Sequence, residues 1–300
     1  MLVEMYVEID DFCKSDPRIL KMWDISRPGP KSKLTLSEVM TILIHYHQKS
    51  YKHFKSYYTE YILGHIASDF PDAVSYNRFI ELIPRTLLPM CLYLNYRCSL
   101  SRQTGIYYID SAPWSACHVK RVHQHKVMRG FANWGKTSTG WFYGMKYHLV
   151  TNHYGELMNF YLSSGNISDA NAKVLYFLTK DLKGWLFGDR GYLLNEEKKT
   201  FLEKDGLLQI FAKCRKNMKK QKISVEHKLW IRKRGIIESV IDITKSDCNA
   251  THTRHRSPYN AFTNLFAALV AYCLRTEKPK TSINLEARLL QIPEKYSQAA

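Results

Sequence analysis

Apolar residues in the first hundred positions of the chain recur at the spacing of an amphipathic helix. Four of them share one helical face at i, i+3, i+4 and i+7: Leu36, Val39, Met40 and Leu43. Thr35 and Glu38 form the T-x-x-E pattern of a capping box at the start of this helix, and Ser75 is the candidate cap of a later one. The pattern predicts an all-helical region over residues 1–100.

Beyond this region, short apolar and aromatic runs replace the helical spacing. These runs predict strands at 105–110, 141–151, 155–163, 184–189 and 207–213. Helical spacing predicts helices at 168–180, 195–203 and 228–244, and Ser168 or Asp169 is the candidate cap of the first. Three strands, helix, strand, helix, strand, helix is the element order of an RNase H-like fold, an α/β architecture whose mixed five-stranded sheet is flanked by helices.

A last helix is predicted to begin at Ser257 and Pro258, which suit the cap and the first turn. Its apolar stripe indicates plain core packing: Phe262, Leu265, Phe266, Leu269, Val270 and Cys273. The apolar stretch from Leu265 to Leu274 is too short to span a bilayer, and the N-terminus is acidic where a signal peptide is basic. The seven cysteines are odd in number and scattered, which favours reduced thiols. We expect a soluble protein with no membrane segment.

Three carboxylates stand out by their positions in this pattern. Asp110 and Asp189 each close a run predicted to be a buried strand, where a charge is costly unless something compensates it. In the predicted fold the first and fourth strands are neighbours, about 4.8 Å apart, so the two aspartates lie side by side. Two such carboxylates repel each other unless a cation lies between them. With Glu238 from the last helix of the sheet region, they predict a Mg²⁺ site and a phosphodiester-cleaving enzyme.

Two cations accompany Glu238. Arg234, Glu238 and Lys245 are spaced −4, 0 and +7, which puts all three on one helical face. A carboxylate flanked in this way can hold a metal ion while its neighbours contact phosphates. The alternative is a set of solvated ion pairs along the helix.

The net charge of +17 is unevenly distributed. Of the 44 Lys and Arg residues 12 lie in residues 1–100, and of the 27 Asp and Glu residues 11 lie there. The rest of the chain therefore holds 32 cations and 16 anions, in the same part as the three acids. This suits an enzyme that acts on a polyanion such as DNA, and the alternative is a basic surface that binds nothing.

Further candidate DNA contacts lie in this basic part. The run KCRKNMKKQK could grip phosphates or could be a solvated loop; its cations are Lys213, Arg215, Lys216, Lys219, Lys220 and Lys222. Trp230 is a candidate for stacking on an unpaired base, or else a core residue. Lys146, on the second predicted strand, either points at the acids or is an ordinary strand residue.

The segments around the acids resemble the DDE transposases of bacterial insertion sequences. The third-acid motif of that superfamily runs Tyr, two residues, Arg, three residues, Glu, six residues, Lys. Arg234, Glu238 and Lys245 match it, while Ile231 stands at the tyrosine position. GIYYIDS and GDRGY are similar to the first- and second-acid motifs. The 49 residues from Asp189 to Glu238 leave no room for the large insertion of some relatives.

This resemblance implies an RNase H-like DDE catalytic domain at 101–275, followed by a C-terminal tail at 276–300. The helical N-terminal domain at 1–100 could bind DNA ends or could equally be a packing or dimerisation module. The resemblance implies cleavage at the element ends and transfer of the 3′-OH into target DNA, with two Mg²⁺ ions (or Mn²⁺) on Asp110, Asp189 and Glu238. It further implies a homodimer or higher oligomer on DNA, in the bacterial cytoplasm at the nucleoid. Two alternatives remain: a nuclease of the same fold without strand transfer, and a domesticated, non-catalytic DNA-binding protein.

Overall fold

The N-terminal region of the chain is helical, as predicted. The computed structural model describes residues 2–24, 32–203, 207–212, 224–251 and 255–281. The first α-helices are α1 (Leu2–Ser15), α2 (Pro17–Trp23), α3 (Leu36–Tyr46), α4 (Phe54–Ser56), α5 (Tyr76–Leu82) and α6 (Leu87–Ser99). A π-helical segment (Tyr57–His65) and two 3₁₀ turns (Ala67–Asp69 and Ile83–Thr86) connect them.

Both predicted caps of this region are confirmed. At the start of α3 the Thr35 hydroxyl accepts from the Glu38 N–H at 3.2 Å, and the Glu38 carboxylate accepts from the Thr35 N–H at 2.7 Å. The Ser75 hydroxyl accepts from the Arg78 N–H at the start of α5. The backbone donors of these two helix ends therefore have partners within their own segments.

The strands of the described chain form one mixed sheet. They are β1 (Ile106–Cys117), β2 (Asn133–Thr137), β3 (Gly140–Asn152), β4 (Leu157–Ser164), β5 (Gly184–Gly188) and β6 (Leu208–Ala212). Their order is β2-β3-β1-β5-β6, and β4 also pairs with β3. β1, β5 and β6 are parallel, whereas β3 is antiparallel to β1, β2 and β4.

The helices of this region lie around the sheet. They are α7 (Ala172–Thr179), α8 (Glu196–Leu202), α9 (Val225–Arg232), α10 (Gly235–Ser246) and α11 (Pro258–Cys273). Short 3₁₀ turns cover Val119–Gln124 and Arg190–Tyr192. The architecture is the RNase H-like α/β fold expected from the element order, preceded by the helical N-terminal region.

Three details differ from the sequence prediction. β1 does not end at Asp110 but continues along β3 to Cys117. β2 is a sixth strand; its sequence NWGKT lacks the apolar alternation that identifies a strand. The single helix predicted at 228–244 is two helices, α9 and α10, because the chain turns at Lys233 and Arg234 just before Gly235, a poor helix former.

The start of α7 is a further correction. Asn171 caps this helix, since its side chain accepts from the N–H groups of Lys173 and Val174. Neither Ser168 nor Asp169 has that role. Asp169 is therefore available for contacts with the sheet, which are described below.

Helix α11 lies in the core that joins the helical region to the sheet. Leu265, Leu269 and Val270 of its apolar stripe are fully buried, which confirms the core packing predicted for the stripe. One continuous apolar cluster contains residues of α1, α3, α6, α10, α11 and the sheet. A smaller cluster on the other face of the sheet packs against α7. The boundary at residue 100 stays a prediction.

The described start of the proposed tail contacts the turn between β3 and β4. The Thr281 N–H donates to the His153 carbonyl at 2.9 Å. The six described cysteines are free thiols. In the part of the chain that the structure describes, no helix combines the length and the apolar character needed to cross a membrane.

Candidate functional site

The parallel pairing of β1 with β5 brings Asp110 and Asp189 together. The last paired residues are Tyr108 and Phe187. Each aspartate follows two residues later, and side chains two apart in a strand point to the same face. Burial is the main cause of the raised pKa of Asp110, and the negative charge of Asp189 adds a smaller contribution in the same direction. The two carboxylates therefore lie at neighbouring positions where the parallel pairing ends.

Asp110 is a largely buried carboxylate with a raised pKa. Its side chain is 20% exposed. Its oxygens accept from the Ser111 N–H at 2.8 Å and from Arg234 Nη1 at 3.0 Å. Burial, with a further contribution from Asp189, raises its pKa to about 6, although Ser111 and Arg234 both favour the charged form. Asp110 is thus ionised at pH 7, but in a surrounding that opposes its charge.

The GDRGY segment fixes Asp189 through its two glycines. The Asp189 carboxylate caps the 3₁₀ turn Arg190–Tyr192 by accepting from the Gly191 N–H at 2.7 Å. A Cβ on Gly188 would lie 2.8 Å from Tyr192 Cβ, and a Cβ on Gly191 would lie 2.9 Å from Asp189 Oδ1. Side chains at either glycine would push the turn away from the end of β5. The motif therefore holds the carboxylate in place by close backbone packing.

Arg234 connects the third acid to the first. Glu238 lies in the first turn of α10, and its side chain is 58% exposed. The Arg234 guanidinium donates from Nη1 to Asp110 and from Nη2 to Glu238. A single guanidinium group thus spans the two carboxylates. The sequence predicts that Arg234 and Glu238, four residues apart, share one helical face. In the structure the two side chains form a direct ion pair.

Lys245 lies farther along α10. It is in the last turn of that helix, about 10 Å beyond Glu238 at 1.5 Å per residue. Within the described ranges no carboxylate forms a salt bridge with it. Its ammonium group is available to a ligand at that distance from the acids.

The donor chemistry of the acids suits a hard divalent cation. Asp110 and Asp189 offer carboxylate oxygens, the ligands that Mg²⁺ prefers. A cation between them would offset the burial that chiefly raises the pKa of Asp110 and the smaller contribution of Asp189. Glu238 is separated from Asp110 by the Arg234 guanidinium. Among the described residues, no group of three or more His, Cys, Asp or Glu side chains is arranged to hold a metal ion. The oxygens of Asp110 and Asp189 fit such an ion. Glu238 would have to release Arg234 to bind the same ion.

An open cleft with several cations adjoins the acids. It is lined by Gly188, Asp189, Arg190, Lys228, Ile231, Arg232, Arg234, Gly235 and Glu238. Arg190 and Arg232 are exposed to solvent. Sequence reasoning overlooked Arg190 and Lys228 as site residues; the signals were the GDRGY motif itself and the spacing of four residues between Lys228 and Arg232. Ile231, which stands at the tyrosine position of the third-acid motif, lines the same cleft.

Two residues proposed for DNA contact have other partners in the structure. Trp230 is 6% exposed, and its ring lies 5.6 Å from that of His153. Lys146 is 12% exposed; its Nζ donates to the Ile167 carbonyl at 3.0 Å and to Asp169 Oδ1 at 3.1 Å. Neither side chain is open to a DNA strand in this arrangement. The cations of the 213–222 run, Lys213, Arg215, Lys216, Lys219, Lys220 and Lys222, lie outside the described residues.

Asp169 is a further carboxylate next to the acidic site, and sequence reasoning assigned it only a capping role. Its Oδ1 accepts from Ser111 Oγ at 2.9 Å and from Lys146 Nζ at 3.1 Å. His148 Nδ1 lies 3.9 Å from the same oxygen, and burial lowers the pKa of this histidine to about 4, so it is neutral at pH 7. Asp169 thus holds the residue that follows Asp110 in β1.

We expect Asp169 and Lys146 to stabilise the fold jointly. Asp169→Asn and Lys146→Met should each lower the free energy of unfolding by about 1–3 kcal/mol, because either change leaves a mostly buried charge without its partner. The double variant should lose less than the sum, by about 1 kcal/mol or more. Urea unfolding at pH 7 measures this coupling. Lys180 and Asp181, an exposed pair, are the control and should show coupling near zero; equal values for both pairs would contradict the expectation.

The fold and the site together define a class of protein. Two aspartates lie side by side at the end of the central parallel pair of an RNase H-like sheet, and a glutamate from a flanking helix joins them through Arg234. This is an RNase H-like protein with acidic side chains at the end of its central parallel strands. Residues 100–258, 159 of the 300, match the family of the transposase DDE domain. The chain belongs to this family, and the matched segment contains all three acids.

The other two comparisons with known proteins give no match. Neither a curated protein nor a solved structure is similar to the chain at a significant level. The family assignment therefore rests on the DDE domain itself. Nearly all of the N-terminal helical region lies outside the matched segment.

Proposed function

We propose that the chain is the transposase of a bacterial insertion sequence, which cleaves DNA at the ends of its element and joins the freed 3′-OH to target DNA. The observation that supports this most is the position of Asp110 and Asp189 at the end of the parallel pairing, within the segment matched to transposase DDE domains. Glu238, bound to the same guanidinium as Asp110, completes the set of acids. DNA is the proposed partner, in agreement with the basic charge of this part of the chain.

The acids and the cations of the site have separate roles in this proposal. Asp110, Asp189 and Glu238 would hold two Mg²⁺ ions, with Mn²⁺ as a substitute. When bound, the ions activate the attacking oxygen and stabilise the leaving oxygen. Arg190, Lys228 and Arg232 line the cleft and would bind the phosphates on either side of the scissile bond. Lys245 and the 213–222 run are proposed as phosphate contacts farther from the acids.

Arg234 controls the charge of the site in the metal-free protein. Its single positive charge is shared between Asp110 and Glu238 and offsets part of their negative charge beside Asp189. Binding of a cation by all three acids requires this guanidinium to release Glu238. A released guanidinium is a strong bidentate donor for phosphate. Arg234 would then exchange a carboxylate partner for a DNA phosphate as the site fills.

Cleavage of DNA from the borders of the reading frame tests the proposal. An end-labelled duplex of that sequence should be nicked by the wild type with Mg²⁺ and left intact in EDTA. Asp189→Asn should reduce the cleavage rate by at least about 100-fold. Loss of a residue that only hydrogen-bonds a metal ligand already lowers activity by about 10–100-fold, and Asp189 is proposed as a ligand itself. Asp181→Asn, at an exposed aspartate after α7, is the matched control and should cut normally. Equal cleavage by Asp189→Asn and the wild type would refute the acidic site.

A second arm of this experiment separates the three functions considered. Pre-cut ends with a free 3′-OH, mixed with plasmid DNA and Mg²⁺, should become joined to the plasmid. Cleavage without joining would indicate a nuclease of the same fold. Binding of the end DNA without cleavage in Mg²⁺ or Mn²⁺ would indicate a domesticated DNA-binding protein. Since two element ends must be joined together, we also propose at least a dimer on DNA, acting in the bacterial cytoplasm at the nucleoid.

A further inference from the structure

The segment between Asp110 and Glu156 contains no acidic residue. It forms the far part of β1, a 3₁₀ turn, β2 and most of β3, and we call residues 111–146 the β-arm. Five of its cations are exposed: Lys120, Arg121, Lys126, Arg129 and Lys136. The sixth is Lys146, which is paired with Asp169. The β-arm is thus a strongly positive part of the surface that extends from the position of Asp110.

One face of the β2–β3 hairpin carries large aromatic side chains. Trp134 lies directly opposite Tyr143, and Lys136 lies directly opposite Trp141. Residues opposite each other and residues two apart share a face, so all four side chains point the same way. Trp134 is 43% and Trp141 is 60% exposed, values that are high for tryptophan. Lys136 Nζ lies 5.5 Å from the Trp141 ring, and the Trp134 and Tyr143 rings are 5.7 Å apart.

The other face of this hairpin is fixed to the rest of the protein. Phe142 is 7% exposed, and a Cβ on Gly135 would lie 2.5 Å from the Phe142 ring. Asn133 Nδ2 donates to Ser164 Oγ at 2.9 Å, at the end of β4. The exposed rings are therefore presented on a fixed surface, and a ligand that binds them need not order a loose loop.

The aromatic face and Asp110 lie on the same side of the sheet. Asp110 is opposite Leu149 in β3, and alternate residues from Leu149 back to Tyr143 and Trp141 share that side. Six to eight residues at about 3.3 Å each separate the rings from Asp110 along β3, roughly 20–26 Å. This is about six to eight base-pair steps of 3.4 Å per strand. Leu149, Tyr147 and Met145 between them are buried, so a DNA strand held at the acids would reach the rings around this covered part of the face.

We propose that the β-arm binds unpaired DNA by stacking bases on Trp134 and Trp141, while its exposed cations bind the phosphates. Exposed aromatic rings interleaved with cations are the usual platform for single strands, since every base has a face that can stack. A base inside an intact duplex is already stacked and gains nothing from an indole. The inference rests on the proposed function for its choice of DNA, and it adds a second contact site remote from the acids.

Binding of a single strand in the absence of metal tests this inference. The probe is a fluorescein-labelled oligothymidylate of 12 nucleotides, titrated with the full chain in EDTA and followed by anisotropy. Trp134→Ala/Trp141→Ala should weaken binding at least tenfold, and Trp134→Phe/Trp141→Phe should restore most of it because the ring remains. Lys136→Gln should lower the slope of log affinity against log salt by about 0.7, the value for one phosphate contact on a single strand.

Controls separate stacking from folding and from self-association. Phe201→Ala removes an exposed aromatic side chain from α8 and should bind oligothymidylate like the wild type. The melting temperature of the double alanine variant should fall by only a few degrees, so that the variant is folded during the titration, since both rings are partly exposed. Unchanged oligothymidylate binding by this variant would overturn the inference. So would a dimer in sedimentation velocity that the variant loses while DNA binding persists, because the face would then be an interface between copies.

Failure of this inference is distinguishable from failure of the proposed function. If the double alanine variant binds oligothymidylate normally while Mg²⁺-dependent cleavage depends on Asp189, only the role of the β-arm is wrong. If the wild type binds neither oligothymidylate nor duplex DNA and cleaves nothing, the proposed function itself is wrong, and this inference with it.

Discussion

Asp110→Asn is expected to abolish DNA cleavage and, at the same time, to raise the thermal stability of the metal-free protein. The loss of cleavage follows from the proposed role of Asp110 as a metal ligand, which an amide replaces poorly. The gain in stability follows from the surroundings of the carboxylate. Burial and the neighbouring Asp189 oppose the charge on Asp110 more than Arg234 and the Ser111 N–H favour it.

The direction of the pH dependence follows from the pKa of Asp110. Its pKa is raised from 3.8 to about 6 in the folded protein. Between these two values the folded state holds a proton that the unfolded state has lost, so stability falls as pH rises through this window. Above about pH 7 the loss is complete, and two pKa units correspond to about 3 kcal/mol. The neutral amide avoids this cost at every pH.

Calorimetric unfolding in EDTA between pH 4 and pH 8 measures the difference. The melting temperatures of Asp110→Asn and the wild type should be close at pH 4, separate as the pH rises to 6, and differ by several degrees at pH 7.5. The exposed Asp181→Asn serves as the control and should follow the wild type throughout. A lower melting temperature for Asp110→Asn at pH 7.5 would show that the ion pair with Arg234 outweighs burial.

The same variant separates metal binding from activity. A cation that binds only the folded protein raises stability by about 2.7 kcal/mol at a concentration 100 times its dissociation constant. Mg²⁺ or Mn²⁺ should therefore raise the melting temperature of the wild type and have little effect on Asp110→Asn. Equal shifts for both proteins would place the ion elsewhere. This measurement needs no DNA substrate, so it is independent of the sequence that the protein cleaves.

The positions of Asp110 and Asp189 could be predicted from the sequence because local patterns determine them. Each follows a run of apolar and aromatic residues, and the element order of the fold makes the two strands neighbours. The pairing of Tyr108 with Phe187 confirms this. The apolar runs were sufficient to locate these two strands, since both strands are buried.

Contacts between distant segments could not be predicted in the same way. The spacing of Arg234 and Glu238 suggested a shared helical face, but no pattern shows that the same guanidinium reaches Asp110, 124 residues earlier. The role of Asp169 is also hidden, because an acid in a polar segment before a helix usually caps it. β2 was missed since a short, half-exposed strand with a central glycine has no apolar periodicity. These features depend on tertiary packing, which a local pattern does not contain.

Arg234→Ala is expected to reduce cleavage at pH 7 by at least about 100-fold and to move the acid limb of the rate profile to higher pH. Removal of a cation beside a carboxylate raises the pKa of that carboxylate by about 1–3 units, since the charged form loses its partner. Asp110 must be ionised to bind a metal ion, so metal binding and cleavage should then begin at a higher pH. Part of the lost activity should return at pH 8.5.

The choice of variants separates this effect from a simple loss of DNA affinity. Arg234→Lys keeps the charge but not the planar fork that reaches Asp110 and Glu238 together, so its activity should lie between those of alanine and arginine. Arg232→Ala removes an exposed cation of the same cleft that pairs with no carboxylate of the described chain. It should raise the KM for DNA and leave the acid limb in place. If Arg234→Ala also raises only the KM and leaves the acid limb in place, Arg234 acts through its phosphate contact alone and does not set the charge of the acids.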